Sequence, residues 1–150
     1  MTDNTQLDIR LHHVGFVVPD IREKIQEFAR SLGATWDARL FDDPIQKVTV
    51  GFLQTPLPSD AQIELIQPAG QDSPVFNFLK KGGGLHHLCY EVGDLAAHLR
   101  RVRAEGALLL KPPVPAVAFG NRRIAWVSTR QKLLIEFLEQ EMAGSVHDPS

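Results

Sequence analysis

The chain has 150 residues, of which 43% are hydrophobic and 23% are charged, and its net charge is -2 at neutral pH. This length suits a single domain with a sizeable core, and the charge balance gives no sign of a nucleic-acid or membrane partner. No apolar run approaches the roughly 20 residues that span a bilayer, and the N-terminus lacks a secretory signal pattern. Together with the single cysteine, Cys89, these features predict a cytoplasmic protein.

The first half of the chain predicts a strand followed by a helix and further strands. Residues 11–18 alternate in polarity and are rich in β-branched side chains, which is typical of a strand. Asp20 predicts the N-cap of an amphipathic helix, and Gly33 predicts the residue at which that helix ends. Three more strands are then predicted, at 35–40, 48–53 and 62–66.

The second half predicts the same order of elements after a connecting helix. Ser73 and Pro74 suit the cap and first position of a short helix over 73–81. A strand at 85–92 then leads to a helix that Asp94 caps. Three strands complete this half, at 107–110, 123–128 and 133–138.

The predicted fold is therefore α+β, with two β-α-β-β-β modules in tandem. The modules cover about 9–68 and 84–140 and together make a single domain over 9–140. The polar tail, 141–150, is expected to fray.

The two modules also share a sequence repeat. The segment LHHVGFVVPD at 11–20 returns as LHHLCYEVGD at 85–94, an offset of 74 residues (85 minus 11). The segment IELI at 63–66 returns as IEFL at 135–138, an offset of 72 residues (135 minus 63). Each module thus supplies one histidine near its start and one glutamate near its end. Such a duplication can gather four ligands around a pseudo-twofold axis, as a divalent metal requires.

The alternation of strand residues indicates which histidines face each other. His13 shares a strand face with small Gly15, whereas His12 shares the other face with bulky residues that suit packing under a helix. We therefore assign His13 and its counterpart His87 to a concave face of the sheet, with His12 and His86 flanking them. A slip of one residue in register would exchange the two faces.

Glu64 and Glu136 lie in the middle of apolar strands. An ionised carboxylate is costly there unless it is paired or binds a metal, although either glutamate alone would more simply face water. Two glutamates and two histidines in matching registers instead favour a metal site. The predicted ligands of one divalent ion, which the donor types restrict to Zn, Co, Ni, Mn or Fe, are His13, Glu64, His87 and Glu136.

Several longer stretches resemble the vicinal oxygen chelate superfamily of glyoxalases, bleomycin resistance proteins and dioxygenases. The segments ELIQP at 64–68, DSPV at 72–75, FLKK at 78–81 and GLHHLCYEV at 84–92 most resemble methylmalonyl-CoA epimerases. The resemblance implies paired βαβββ modules that form a concave mixed sheet around a metal. It places the metal ligands on the same two histidines and two glutamates, and it implies a homodimer.

The resemblance also implies a reaction. An epimerase of this kind removes a proton next to the carbonyl of a small thioester and forms a metal-stabilised enolate. Glu136 is the candidate base, and substrate contacts are expected from Gln46, Lys47 and Arg123. A lactoylglutathione lyase or a non-catalytic resistance protein that binds a small molecule is the alternative.

This sequence departs from the epimerase pattern at one position, in the loop before the strand predicted at 48–53. Epimerases of this type carry a catalytic glutamate at the position of Ile45. Asp42 and Asp43 are the nearest carboxylates in the sequence and are the candidates to substitute for it, although their side chains are shorter and come from a displaced position. We expect Ile45→Glu to raise epimerisation if the rest of the site is epimerase-like.

Overall fold

The computed structural model describes residues 8–57 and 59–141, and the expectation of a frayed tail lies almost wholly outside these ranges. The first module contains six elements, namely β1 (Ile9–Val17), α1 (Ile21–Leu32), β2 (Thr35–Trp36), β3 (Phe41–Asp43), β4 (Val48–Gln54) and β5 (Gln62–Pro68). The second module and its connector contain seven, namely α2 (Phe76–Lys80), β6 (Gly84–Val92), α3 (Leu95–Ala104), β7 (Leu108–Pro115), a 3₁₀ turn (Val117–Phe119), β8 (Arg123–Ser128) and β9 (Leu134–Glu139).

The helix α1 begins and ends where the sequence predicts. Asp20 Oδ1 accepts hydrogen bonds from the backbone N–H groups of Arg22 and Glu23, at 2.9 and 3.4 Å, and so satisfies two of the free donors of the first turn. Gly33 ends the helix in the left-handed conformation, with a φ of 62°. The Asp94 side chain caps α3 in the same way.

Three of the predicted elements differ in the structure. The prediction of one continuous strand at 35–40 is wrong. The strand β2 ends at Trp36, and Ala38, with a φ of 66°, lies between β2 and β3. The cap of α2 is Val75 and not Ser73, whose hydroxyl accepts only the Val75 N–H. The strand predicted to end at residue 110 continues to Pro115. Prolines are tolerated there since β7 is an edge strand that pairs with β8 alone.

The strands form one curled mixed sheet, which confirms the predicted α+β class and the concave mixed sheet. Their order is β2-β4-β5-β1-β6-β9-β8-β7, with β3 paired to β4. The duplicated strands β1 and β6 are antiparallel neighbours at the centre, while β5 lies parallel to β1 and β9 parallel to β6. The four predicted metal ligands therefore lie on four adjacent strands.

The two faces of the sheet have different roles. In β5, Leu65 packs beneath α1 against Ile21 and Ile25, whereas Glu64 and Ile66 point to the opposite face because strand residues alternate. The helix α3 covers the same outer face of the second module. The inner, concave face consequently holds the buried polar side chains. No helix within the described ranges is long and apolar enough to cross a membrane.

The central pairing of β1 with β6 generates the first testable prediction. Separate expression of residues 1–81 and 84–150 would cut this pairing and expose the inner edge of each half. We expect neither half alone to fold or to bind a divalent metal as a monomer, because each lacks half of the central sheet and half of the metal ligands. Circular dichroism, thermal melting and metal analysis provide the measurement. A monomeric half that melts cooperatively with metal bound would contradict the expectation.

Candidate metal centre

Four buried side chains meet on the concave face. The His13 Nε2 atom lies 3.2 Å from His87 Nε2, 3.5 Å from Glu64 Oε1 and 3.2 Å from Glu136 Oε1. The His87 Nε2 atom lies 3.4 Å from Glu64 Oε1 and 3.8 Å from Glu136 Oε1. The four residues are between 0% and 5% exposed. The structure thus brings together all four residues that the duplicated motifs indicate.

The donor set fits a divalent metal. Two imidazole nitrogens and two carboxylate oxygens lie close together, and this set of donor atoms suits Zn²⁺, Fe²⁺, Co²⁺, Ni²⁺ or Mn²⁺. Glu136 Oε1 is buried and makes no hydrogen bond, although it lies 3.2 Å from His13 Nε2. An anionic oxygen without a hydrogen-bond donor is costly in a protein interior. A bound cation would remove that cost.

Each central histidine is supported by the histidine that precedes it. The Nδ1 atoms of His12 and His13 are 2.8 Å apart, and those of His86 and His87 are also 2.8 Å apart. When Nε2 of His13 or His87 binds a metal, the Nδ1 atom of the same ring carries the proton and donates a hydrogen bond to the neighbouring imidazole. The repeated His-His pair therefore fixes both the tautomer and the orientation of each ligand.

Burial and neighbouring charges give the two central histidines different pKa values. Burial lowers the pKa of His87 to about 3. Burial also opposes the charge of His13, but the nearby carboxylate of Glu64 and contacts with Cys89 and Glu136 outweigh it, so the pKa of His13 is raised well above 6.5. Two imidazoles in contact cannot both be charged at low cost. In the metal-free protein these opposite shifts favour protonation of His13 over protonation of His87.

The two central glutamates are also perturbed in opposite directions. Burial raises the pKa of Glu64 more than the neighbouring His13 lowers it. Burial opposes ionisation of Glu136 as well, but His13 and His87 outweigh it, and the pKa of Glu136 is lowered. Two carboxylates that share a site push their pKa values apart in this way.

Gly15 makes room for one of the ligands. A methyl group added to Gly15 would lie 2.3 Å from Cε1 of His87, far closer than atoms can approach. Gly15 pairs with His87 across β1 and β6, so the ring lies directly over the glycine. The repeat does not carry this glycine into the second module, where Cys89 takes the matching position.

Cys89 lies close to the centre but is suited to packing. Its side chain is fully buried and belongs to an apolar cluster with Ile124 and Leu138. Burial raises the pKa of the Cys89 thiol, which keeps it neutral, and a neutral thiol is a poor metal ligand.

A cavity of about 260 Å³ opens beside the four donors. Its walls are mainly apolar, formed by residues such as Val50, Ile66, Phe119, Ile124 and Trp126. The 3₁₀ turn contributes Phe119, whose ring stacks on His13 with a centroid distance of 5.6 Å. A small apolar cavity with a few polar groups is typical of a ligand site.

The end of β3 contributes one of the two carboxylates that the sequence offers in place of the glutamate expected at position 45. Asp43 lines the cavity and is only 5% exposed. Its Oδ1 atom accepts hydrogen bonds from the backbone N–H groups of Ile45 and Gln46, at 2.9 and 3.0 Å. Ile45 is 44% exposed and does not line the cavity. Asp42 is also exposed and accepts a hydrogen bond from Thr49.

The residues predicted to contact substrate occupy different places. Gln46 lines the cavity. Lys47 and Arg123 do not: Lys47 forms an ion pair with Asp72 at 3.0 Å, and Arg123 forms one with Glu139 at 2.8 Å.

The cavity also receives a lysine that the sequence analysis missed. Lys111 lines the cavity, and it lies one residue beyond the strand predicted at 107–110. The two prolines that follow Lys111 are unfavourable inside a strand, and the charged residue directly after the apolar run 108–110 is the signal that the sequence contains.

Comparison with known proteins identifies relatives of this chain. Residues 12–126 match the glyoxalase/bleomycin resistance protein/dioxygenase superfamily. An ethylmalonyl-CoA/methylmalonyl-CoA epimerase of Cereibacter sphaeroides is 39% identical over 120 residues, which cover 79% of this chain and 87% of that protein. The human mitochondrial methylmalonyl-CoA epimerase is 32% identical over 114 residues, covering 75% of this chain but only 62% of that protein.

A solved structure resembles the whole described fold. The crystal structure of methylmalonyl-CoA epimerase from Mycobacterium tuberculosis superposes with a TM-score of 0.78 at 29% identity. The superposition covers 95% of this chain and 94% of that chain.

The raised pKa of His13 predicts that metal binding releases a proton. The raised pKa of His13 favours its protonated form in the metal-free protein, and the ring must lose that proton to become a ligand. Metal affinity should therefore rise with pH until the pKa of His13 is passed. Calorimetric titration with Zn²⁺ at pH 7 in buffers of different ionisation enthalpy should report about one proton released per metal. A binding enthalpy that does not depend on the buffer would contradict the assignment.

The contact between Gly15 and His87 predicts a metal-binding defect in Gly15→Ala. The added methyl group must displace the His87 ring, and we expect the affinity for Co²⁺ to fall about 10- to 100-fold, as when support of a metal ligand is lost. Gly70→Ala is the matched control, since its methyl group would meet only Asp72 Oδ1, at 3.3 Å. Equal affinities of the two variants would show that His87 does not bind the metal.

Proposed function

Since this chain belongs to the glyoxalase/bleomycin resistance protein/dioxygenase superfamily, we propose that it is an epimerase-like enzyme that acts on an acyl-CoA thioester. The proposed reaction removes the proton on the carbon next to the thioester carbonyl and delivers another proton to the opposite face. One observation carries the proposal: Asp43, which is not one of the four donors, lines the same cavity as the carboxylate of Glu136.

The proposed metal ligands are His13, Glu64, His87 and Glu136, and the metal is one divalent ion of the group Zn, Co, Ni, Mn and Fe. When bound, such an ion supplies positive charge that stabilises the enolate produced by proton removal. The pairs formed by His12 with His13 and by His86 with His87 hold the imidazole ligands in place.

Asp43 is suited to proton transfer by the way its carboxylate is held. Two backbone N–H groups bind Oδ1, so the carboxylate has a fixed orientation and Oδ2 remains to accept a proton from the substrate. The adjacent turn thus performs the task that the sequence motif assigns to a glutamate at position 45. A fixed carboxylate within hydrogen-bond reach of the acidic carbon is the requirement for a general base.

Glu136 is suited to act from the other module. Asp43 ends β3 in the first half of the sheet, and Glu136 lies in β9 in the second half. Glu136 Oε1 lies 3.2 Å from His13 Nε2, and the two neighbouring histidines lower the pKa of Glu136 against the opposing effect of burial, which favours the ionised form that accepts a proton. Epimerisation needs one ionised carboxylate that accepts the proton from one face of the carbon and one protonated carboxyl that donates a proton to the other face. Asp43 and Glu136 exchange these two roles between the two directions of the reaction, and exchange with water restores their protonation states between turnovers.

The apolar walls of the cavity support this chemistry. Residues such as Val50, Ile124 and Trp126 exclude water around the bound acyl group. With less water present, the charges of the carboxylates act on the substrate with less screening. The substrate proton then passes to a side chain of the protein and not to solvent.

The proposal predicts a specific loss in Asp43→Asn. We expect the metal-reconstituted protein to exchange the 2-proton of methylmalonyl-CoA in D₂O and to epimerise it. Asparagine keeps an oxygen for the two backbone N–H groups but cannot accept the proton, so epimerisation should fall about 10²- to 10⁴-fold. Nuclear magnetic resonance of the 2-position measures both processes.

Two variants of the same loop serve as controls. Asp42→Asn should leave the rate unchanged because Asp42 is exposed and bonded to Thr49. Ile45→Glu should also have no effect, since position 45 does not line the cavity, in contrast to the gain expected from the motif alone. Equal rates for Asp43→Asn and the unmodified protein would rule out Asp43 as a base. Exchange on a glutathione hemithioacetal but on no acyl-CoA would replace the proposed function with a glyoxalase activity.

A further inference from the structure

The cavity contains an ammonium group that the proposed proton transfer does not use. Lys111 is the only lysine or arginine among the described residues that line the cavity. Its Nζ atom donates a hydrogen bond to Gln46 Oε1 at 3.4 Å. Within residues 8–57 and 59–141, no carboxylate forms an ion pair with Lys111. A charge among apolar walls without a counter-ion is ready to bind an anion.

Gln46 adds a second unused donor next to this charge. The Lys111 ammonium can only donate hydrogen bonds, so the amide oxygen of Gln46 must be the atom that faces it. The Nε2 atom of Gln46 then points away from Lys111, and it is buried without a hydrogen-bond partner. A buried N–H without an acceptor is costly. A ligand oxygen placed there would satisfy it.

The two side chains together present donors and a positive charge but no free acceptor. A carboxylate matches this arrangement, because it has only acceptor oxygens and a negative charge. We propose that Lys111 and Gln46 bind the free carboxylate of a 2-carboxyacyl thioester and so select substrates of the malonyl type over uncharged acyl thioesters. This selectivity rests on the proposed function, since it specifies which thioester enters the same cavity.

The charges already in the cavity make such a cation necessary. Asp43, Glu64 and Glu136 all line it, and their negative charges repel an incoming anion. A divalent ion offsets the two glutamates that bind it, which leaves Asp43. Lys111 offsets this remaining charge, and without it a carboxylate-bearing substrate would meet net repulsion at close range.

The position of Gln46 also links substrate binding to proton transfer. Asp43 Oδ1 accepts the backbone N–H of Gln46, so the proposed base and the proposed carboxylate-binding side chain belong to one turn. In a 2-carboxyacyl thioester the acidic carbon is bonded directly to the carboxylate. A carboxylate held by Gln46 and Lys111 therefore keeps that carbon near Asp43.

Binding measurements on the metal-reconstituted protein test this inference. Malonyl-CoA and acetyl-CoA carry the same CoA phosphates and differ by one carboxylate, so the ratio of their Kd values isolates the carboxylate from contacts with the phosphates. We expect malonyl-CoA to bind about 10- to 100-fold tighter than acetyl-CoA, as for a hydrogen bond to a charged group. In Lys111→Met the preference should disappear, while the Kd of acetyl-CoA stays unchanged.

Further variants separate charge from structure. Lys111→Arg should keep most of the preference, and Gln46→Met should reduce it in part. Lys24→Met, on the exposed side of α1, is the control for loss of a positive charge and should keep the full preference. A weaker binding of both thioesters by Lys111→Met, or an absence of preference in the unmodified protein, would overturn the inference.

These experiments distinguish a failure of the proposed reaction from a failure of the proposed carboxylate site. If malonyl-CoA is preferred through Lys111 but no 2-proton exchanges in D₂O, the proposed reaction is wrong and the carboxylate site stands. If the 2-proton exchanges and Lys111→Met leaves the ratio of Kd values unchanged, the reaction stands and the carboxylate site is wrong.

Discussion

The antiparallel pairing of β1 with β6 is the constraint on which the rest of the structure depends. It places two copies of one His-His motif side by side, so that Nε2 of His13 and Nε2 of His87 are 3.2 Å apart. The parallel neighbours β5 and β9 then add one glutamate each. Four ionisable groups buried together would be costly as a purely structural feature. Their convergence is the observation that supports the proposed binding of a cation.

The site combines a symmetric centre with asymmetric surroundings. The four donors and their supporting histidines follow the duplication closely, whereas the cavity beside them does not. Asp43 and Gln46 come from a turn of the first module, and Lys111 comes from the edge strand of the second. A symmetric centre suits metal binding, and an asymmetric cavity is needed to hold a substrate in one orientation. In the proposed function, the duplicated fold thus separates the binding of the metal from the recognition of the substrate.

The sequence predicts the fold and the centre well because both follow from local rules. Strand alternation assigns His13 and His87 to one face, and capping residues such as Asp20 mark helix ends that the structure reproduces. The cavity residues were harder to predict. Asp43 reaches the cavity because its own side chain closes a turn, and Lys111 does so because an edge strand tolerates two prolines. The first placement depends on a local side-chain turn and the second on the pairing of β7 with β8, and a motif alignment at Ile45 contains neither.

Metal binding by the four central residues is tested most directly by anomalous diffraction at the cobalt edge from crystals of the Co²⁺-reconstituted protein. We expect one strong anomalous peak for each chain, within bonding distance of Nε2 of His13 and His87 and of the carboxylates of Glu64 and Glu136. A peak bound by other residues, or no peak in fully reconstituted protein, would contradict it.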